Sequence, residues 1–235
     1  MNKVLKFVVP LLAAVFLMAV AARADEDKTD VSERLSSAAT TLREIAQAPD
    51  KGIPDEVYNG AKCVAVVPRM IKGGFVFGAK HGRGVSTCKL PDGHWSAPAL
   101  FSITGGSWGA QIGVENVELV IMVMNDEGMR HLLENKFQVG GSVSGAAGPV
   151  GRHASAGVDW KAETELLTYS RTKGLFAGID LSGSWIETDK DSMAALYGKD
   201  VTSNQALTGK VPVPGEARPF IAEVARVKTE ARNNH

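Results

Sequence analysis

The sequence predicts an α+β protein: a glycine-rich, mainly antiparallel β core, sandwich or barrel-like, with N-terminal, one central and C-terminal helices. Three observations predict it. The stretch Trp95–Gly113, WSAPALFSITGGSWGAQIG, carries no charge; its composition suits buried strands and its glycines suit bends and close backbone approach. Short apolar runs follow one another through the middle of the chain with turn residues between them, which favours antiparallel neighbours. Helical periodicity is confined to the ends and one central segment. The 25 glycines in 235 residues exceed the usual share of about 7% and point the same way.

The elements follow in order. Residues 1–24 read as a signal peptide. Lys3 and Lys6 precede the apolar run Phe7–Val20, interrupted once by Pro10, and Ala22-Arg23-Ala24 fits the small-x-small pattern for a cut after Ala24. The run is shorter than the roughly 20 residues a membrane span needs, and no later stretch is long enough to cross. The expectation is a periplasmic or secreted protein with no transmembrane span after cleavage. Residues 25–29 are polar and are expected to be disordered. A helix is predicted from about Asp30, with Glu33 as capping-box partner. Val31, Leu35, Ala38, Leu42 and Ile45 share one face of it, which either packs on the domain or meets a membrane. Pro49 ends it, and a short helix is predicted over Pro54–Gly60.

Strands are predicted at Cys63–Val67 (ended by Pro68), Gly74–Gly78 and Gly84–Cys88, then a turn at Leu90-Pro91-Asp92-Gly93. Trp95–Ile103 and Ser107–Ile112 follow, split by Gly105-Gly106, and Val117–Met124 is apolar enough to be central. Asn125 caps a helix over Asp126–Asn135. Strands resume at Phe137–Ala146, Ala162–Arg171 and Leu175–Ile186; in the last, Leu175, Ala177, Ile179, Leu181 and Trp185 fall on one face. Short helices at Asp191–Tyr197 and Ser203–Leu207, a connector at Val211–Pro214 and an amphipathic helix over about Glu216–Ala231 complete the chain. The domain division is therefore 30–209 for the main body and 210–235 for the connector and last helix.

The chemistry offered is sparse. Gly105-Gly106-Ser107-Trp108-Gly109 matches G-x-S-x-G, but a nucleophile elbow needs a helix after the serine, and strand-like text follows. His81, His94, His131, His153 and His235 sit in different elements without metal-ligand spacing, so no metal is expected. Gly78, Gly82 and Gly84 do not complete a phosphate-binding loop, so no nucleotide cofactor is expected. Cys63 and Cys88, in an exported chain, predict a disulfide worth about 3.5 kcal/mol in the chain-entropy model; two buried thiols on neighbouring strands are the alternative.

Charge says more. The precursor balances 26 basic against 26 acidic residues; losing Lys3, Lys6 and Arg23 leaves a net of −3, which argues against general nucleic-acid binding. Between Glu56 and Asp92 there is no acid, only Lys62, Arg69, Lys72, Lys80, Arg83 and Lys89. Such a segment attracts anionic head groups, or else is a solvated strand face guarded by cations.

Several stretches together resemble the SYLF domain family: Ala61–Gly84 (AKCVAVVPRMIKGGFVFGAKHGRG), Trp95–Gly113, Ala147–Arg152 (AGPVGR), Tyr169–Gly178 (YSRTKGLFAG) and Tyr197-Gly198. The resemblance covers about Val31–Gly209 and points to an exported bacterial branch. It implies a non-enzymatic module. Eukaryotic members bind phosphoinositides and, in some cases, actin filaments, through an N-terminal amphipathic helix and basic residues. Carried onto this chain, that implies lipid contact by Arg34 and Arg43 of the first helix and by Arg69, Lys72, Lys80 and Arg83. For an exported chain neither actin nor phosphatidylinositol is the expected partner; an anionic phospholipid surface is. A structural envelope protein with a protein or glycan partner is the alternative, and a hydrolase using Ser107 the remote one.

Overall fold

The computed structural model describes residues 27–48, 52–149, 164–172, 175–177, 179, 181–198 and 200–233; the side chains of 75–77, 107–113, 175–177 and 231–233 are outside the description. The expected leader and its cleavage after Ala24 also lie outside it.

Helix α1 spans 27–46 and α2 Asp55–Gly60. Two long strands follow, β1 (Cys63–Cys88) and β2 (Ala99–Val123). Next come α3 (Asp126–Leu132), β3 (Lys136–Gln138), β4 (Gly145–Ala147), β5 (Leu166–Thr172), β6 (Leu175–Ala177) and β7 (Trp185–Thr188). Helices α4 (Lys190–Tyr197), α5 (Ser203–Leu207) and α6 (Arg218–Asn233) close the chain, a 3₁₀ turn at Gly215–Ala217 leading into the last. The expected α+β class, mainly antiparallel and with helices at both ends and in the centre, is what the structure shows.

β1 and β2 pair antiparallel along nearly their whole length, from Cys63 opposite Val123 to Ser86 opposite Ala99. On the other edge of β2, β7 pairs with residues 101–104 and β5 with 118–123. β3 extends the sheet beyond β7, and β6 pairs with β5; β4 beside β5 is the one parallel pair among the described strands. The β1–β2 ribbon curls until β1 meets itself. Cys63 and Cys88 lie 4.0 Å apart at Cα and are disulfide-bonded, and the Lys89 N–H donates to the Lys62 carbonyl at 2.8 Å. Where the strand crosses itself there is no room for side chains. A Cβ at Gly82 would sit 2.7 Å from Val67 Cγ1, and one at Gly84 would sit 2.4 Å from Phe101 Cζ and 2.8 Å from the Val66 carbonyl oxygen. Glycines that resemble a phosphate loop in sequence are thus the contact points of a self-crossing ribbon.

The core fills the curl. Val31, Leu35, Ala38, Leu42 and Ile45 of α1, Val64–Val67 of β1, Leu119–Val123 of β2 and Phe220, Val224 and Val227 of α6 are all buried in it. The apolar face of α1 is therefore consumed by the domain.

Several boundaries differ from expectation. Three predicted strands are one, β1: Pro68 falls in a bulge between Val67 and Met70, where a missing N–H breaks no regular ladder bond. Gly105-Gly106 does not split β2; the two residues pair with Lys80 and Ala79. Residues 27–29 are helical, so Asp30 lies inside α1 and binds Arg34 instead of capping. The alternation expected over Leu175–Ile186 breaks at the turn where Gly183 takes φ +75°, so Trp185 faces outward while Ile186 is buried. The Leu90–Gly93 turn, the Asn125 cap (Gly128 N–H to Oδ1, 2.8 Å) and α5 stand as read.

Candidate functional site

The acid-free interval of the sequence is not acid-free in space. Asp30 of α1 and Asp189, which caps α4, converge on Arg34 and Arg83. Arg34 donates to Asp189 Oδ2 at 3.0 Å, to Asp30 Oδ2 at 2.7 Å and to Ser192 Oγ at 3.1 Å. Arg83 donates to Asp30 at 3.1 Å and lies 3.6 Å from Asp189. Burial alone would push the Asp189 carboxyl up. Hydrogen bonds from the Ser192 hydroxyl and N–H, with the Arg34 charge, outweigh it and hold the carboxyl below its ordinary value. Arg43 binds Glu223 at 3.2 Å, and Arg226 binds the same carboxylate. Lys80 of β1 is 5% exposed. The single basic rim expected from Arg34, Arg43, Arg69, Lys72, Lys80 and Arg83 is therefore divided: carboxylates of Asp30, Asp189 and Glu223 pair with Arg34, Arg43 and Arg83, and Lys80 is buried.

Between α1 and the ribbon runs a polar groove of about 1150 Å³, with Arg34, Arg69, Arg83 and Arg171 facing Asp30, Glu33, Glu44 and Glu118. Arg171 binds Glu118 at 2.5 Å and also Glu44. The groove is charge-balanced and offers no excess field to an anion.

Arg69, at the rim of that groove, and Lys72 stand at the outer bend of the ribbon. Arg69 is exposed and its Nε reaches Asn116 Oδ1 at 3.4 Å. Between and opposite them stand two exposed apolar side chains, Ile71 (40%) and Val114 (77%). The register puts Ile71 opposite Asn116, Lys72 opposite Glu115 and Gly73 opposite Val114. From 105 to 117, β2 has no neighbour but β1 among the described strands, so this bend is a two-stranded projection. Sequence reasoning found the cations but not Ile71 and Val114. The available signal was an isolated apolar residue amid polar ones in a strand, which looks the same whether it faces in or out.

No catalytic constellation appears among the described residues. Ser107 lies mid-strand opposite Gly78, not at a strand-to-helix turn. The fold does gather one group the spacing hid: ligand atoms of Glu127, His131 and Glu165 lie within 4.8 Å of one another. Gly128 makes this possible, since a Cβ there would meet Glu165 Cβ at 3.1 Å. Arg130 occupies Glu127, and Glu165 accepts from Ser144, so we assign no metal to it. No helix among the described residues is long and apolar enough to cross a membrane.

Comparison with known proteins places this architecture. The Ysc84 family model, described as "Las17-binding protein actin regulator", matches residues 104–227, more than half of the chain. The chain is 35% identical over 195 residues to the SH3 domain-containing YSC84-like protein 1 of Rattus norvegicus, covering 80% of this chain and 57% of that protein. It is 36% identical over 175 residues to Protein YSC84 of Saccharomyces cerevisiae, covering 73% of this chain and 37% of that one. The match thus spans about half or less of these longer relatives, which are named for SH3-containing or YSC84-like proteins and not for a reaction. On the matched family model and these relatives together, the chain belongs to the Ysc84 (SYLF) family.

Proposed function

We propose that this chain is a non-enzymatic module of the bacterial cell envelope that docks on anionic phospholipid surfaces through the bend of its β1–β2 ribbon. One arrangement carries the reading: Ile71 and Val114 stand exposed on one face of a projection with no third strand among the described residues, with Arg69 beside them at Asn116 and Lys72 on the other face opposite Glu115. Near-surface cations contribute about 1 kcal/mol each against an anionic leaflet, and a buried Ile or Val side chain adds roughly 1.5–3 kcal/mol. Arg34, Arg43, Lys80 and Arg83 serve the fold in this reading, since each is buried or ion-paired. The Cys63–Cys88 bond supports an oxidising, periplasmic or secreted location.

The family description, with its mention of Las17 binding, favours a second reading in which a protein is the partner. For an exported chain that partner would be an envelope component and not actin.

Flotation with vesicles separates the two. The protein is expected to float with vesicles containing phosphatidylglycerol and not with phosphatidylcholine alone, and less so as salt rises. Ile71→Asp with Val114→Asp should abolish flotation, and Arg69→Glu with Lys72→Glu should weaken it by about tenfold or more. Flotation that ignores both pairs of substitutions refutes this surface, and absence of any vesicle binding favours the protein partner.

A further inference from the structure

A second concavity lies away from the ribbon bend, between one face of α6 and the turn joining β1 to β2. It encloses about 890 Å³, within the range of small-molecule sites. Trp95, 8% exposed, forms its floor, and Val213, Ile221, Ala222 and Ala225 form an apolar wall. Its charged members are Lys89, Arg218 and Lys228, and no Asp or Glu lines it among the described residues.

Lys228 is the informative group. Its Nζ lies 5.3 Å from the Trp95 ring centroid and donates to the carbonyls of Asn59 and Ala61 at 3.3 and 3.4 Å. An ammonium has three N–H donors, so two go to neutral carbonyls and one is left over. No carboxylate lies within ion-pairing distance of Lys228 among the described residues, whereas Arg34, Arg43, Arg83, Arg171 and Arg226 all have one. Burial, with Lys89 adding its repulsion, pulls the ammonium down to about 8. A charged Lys228 is thus a cost to the folded state that a nearby anion would relieve.

The chemistry that fits is one negative head on an apolar tail. Lys228 and Lys89 mark one end. From Lys228 the helix presents Ala225, Ala222 and Ile221 in turn toward Arg218, a stripe about 15 Å long at 1.5 Å per residue. We propose that this groove binds a single fatty-acid anion, its carboxylate at Lys228 and Lys89 and its chain along Trp95, Ala225 and Ile221. The inference does not rest on the membrane-docking reading, because the residues of the two sites are separate. It concerns a monomeric amphiphile and not a bilayer.

Titration calorimetry of the full chain with laurate below its micellar concentration tests it, with dodecanol as the neutral counterpart. Saturable binding of one laurate per chain is expected, with dodecanol weaker by about tenfold or more, the worth of a charged hydrogen bond. Lys228→Met keeps the apolar stem and should weaken laurate by a similar factor. Ala225→Trp, which fills the groove, should abolish binding of both. Lys72→Glu at the ribbon should leave laurate binding unchanged while weakening vesicle flotation, which keeps the failure of one site distinguishable from the failure of the other. Absence of saturable binding, equal affinity for laurate and dodecanol, or laurate binding untouched by both groove substitutions overturns the proposal.

Discussion

At the scale of single residues, the clearest test of the fold is the ribbon crossing. Gly84→Ala drives a Cβ into Phe101 and the Val66 carbonyl, and a loss of about 1–3 kcal/mol is expected in denaturant melts. Gly106→Ala, with nothing within 4 Å of the new atom, should be close to neutral. The Arg34–Asp189 contact sets a pH dependence. Asp189 and Glu223 both titrate below their ordinary value in the folded chain, Glu223 because Arg226 and Arg43 outweigh the upward push of burial. Their contribution is whole above the ordinary carboxyl range near pH 4 and is lost as pH falls through the depressed folded values. Thermal melts should therefore fall off below about pH 4, and Asp189→Asn should flatten that limb while costing about 1.5–3 kcal/mol at neutral pH, since Arg34 keeps Asp30. None of this was legible in the sequence. A glycine's neighbour across a crossing, or the acid that meets Arg34 from 155 positions away, is fixed by tertiary approach and not by local pattern.

At the scale of elements, the pattern was more readable. The spacing of Val31, Leu35, Ala38, Leu42 and Ile45 gives both α1 and its inner face, and Asn125 marks the start of α3 by its capping chemistry. Failures came where glycine and proline stood inside strands. Local rules treat Pro68 and Gly105-Gly106 as breaks, but a strand curling this tightly uses bulges and small residues to bend without ending. The candidate site shared that fate: Arg69 and Lys72 were found by charge, but the bend that groups them with Ile71 and Val114 depends on β1 being continuous. The disulfide acts at this scale as well. Cys63 and Cys88 close the two ends of one strand, so reduction, or Cys63→Ala with Cys88→Ala, should lower stability by about 3.5 kcal/mol. Circular dichroism melts with and without reductant would measure it.

At the scale of the whole molecule, two separate surfaces divide the chemistry: a projecting bend with apolar tips and cations, and a concave groove whose Lys228 has no acid partner among the described residues. The body between them is neutralised by ion pairs that tie α1 to β1, α4 and α6. If both proposals hold, Lys228→Met should raise thermal stability by removing a half-buried charge while losing laurate, and the ribbon substitutions should do neither. That contrast separates a group kept for binding from one kept for folding.

The self-crossing ribbon also bears on how quickly the native state can be reached. Cys63 pairs with Val123 and bonds to Cys88, so the ribbon is held by contacts far apart in sequence, whose loop entropy weighs against rapid closure. Topologies dominated by such distant pairings fold in milliseconds to seconds. Under the export proposed above, such a delay would favour passage of the open chain before collapse and leave the cysteines to join afterwards.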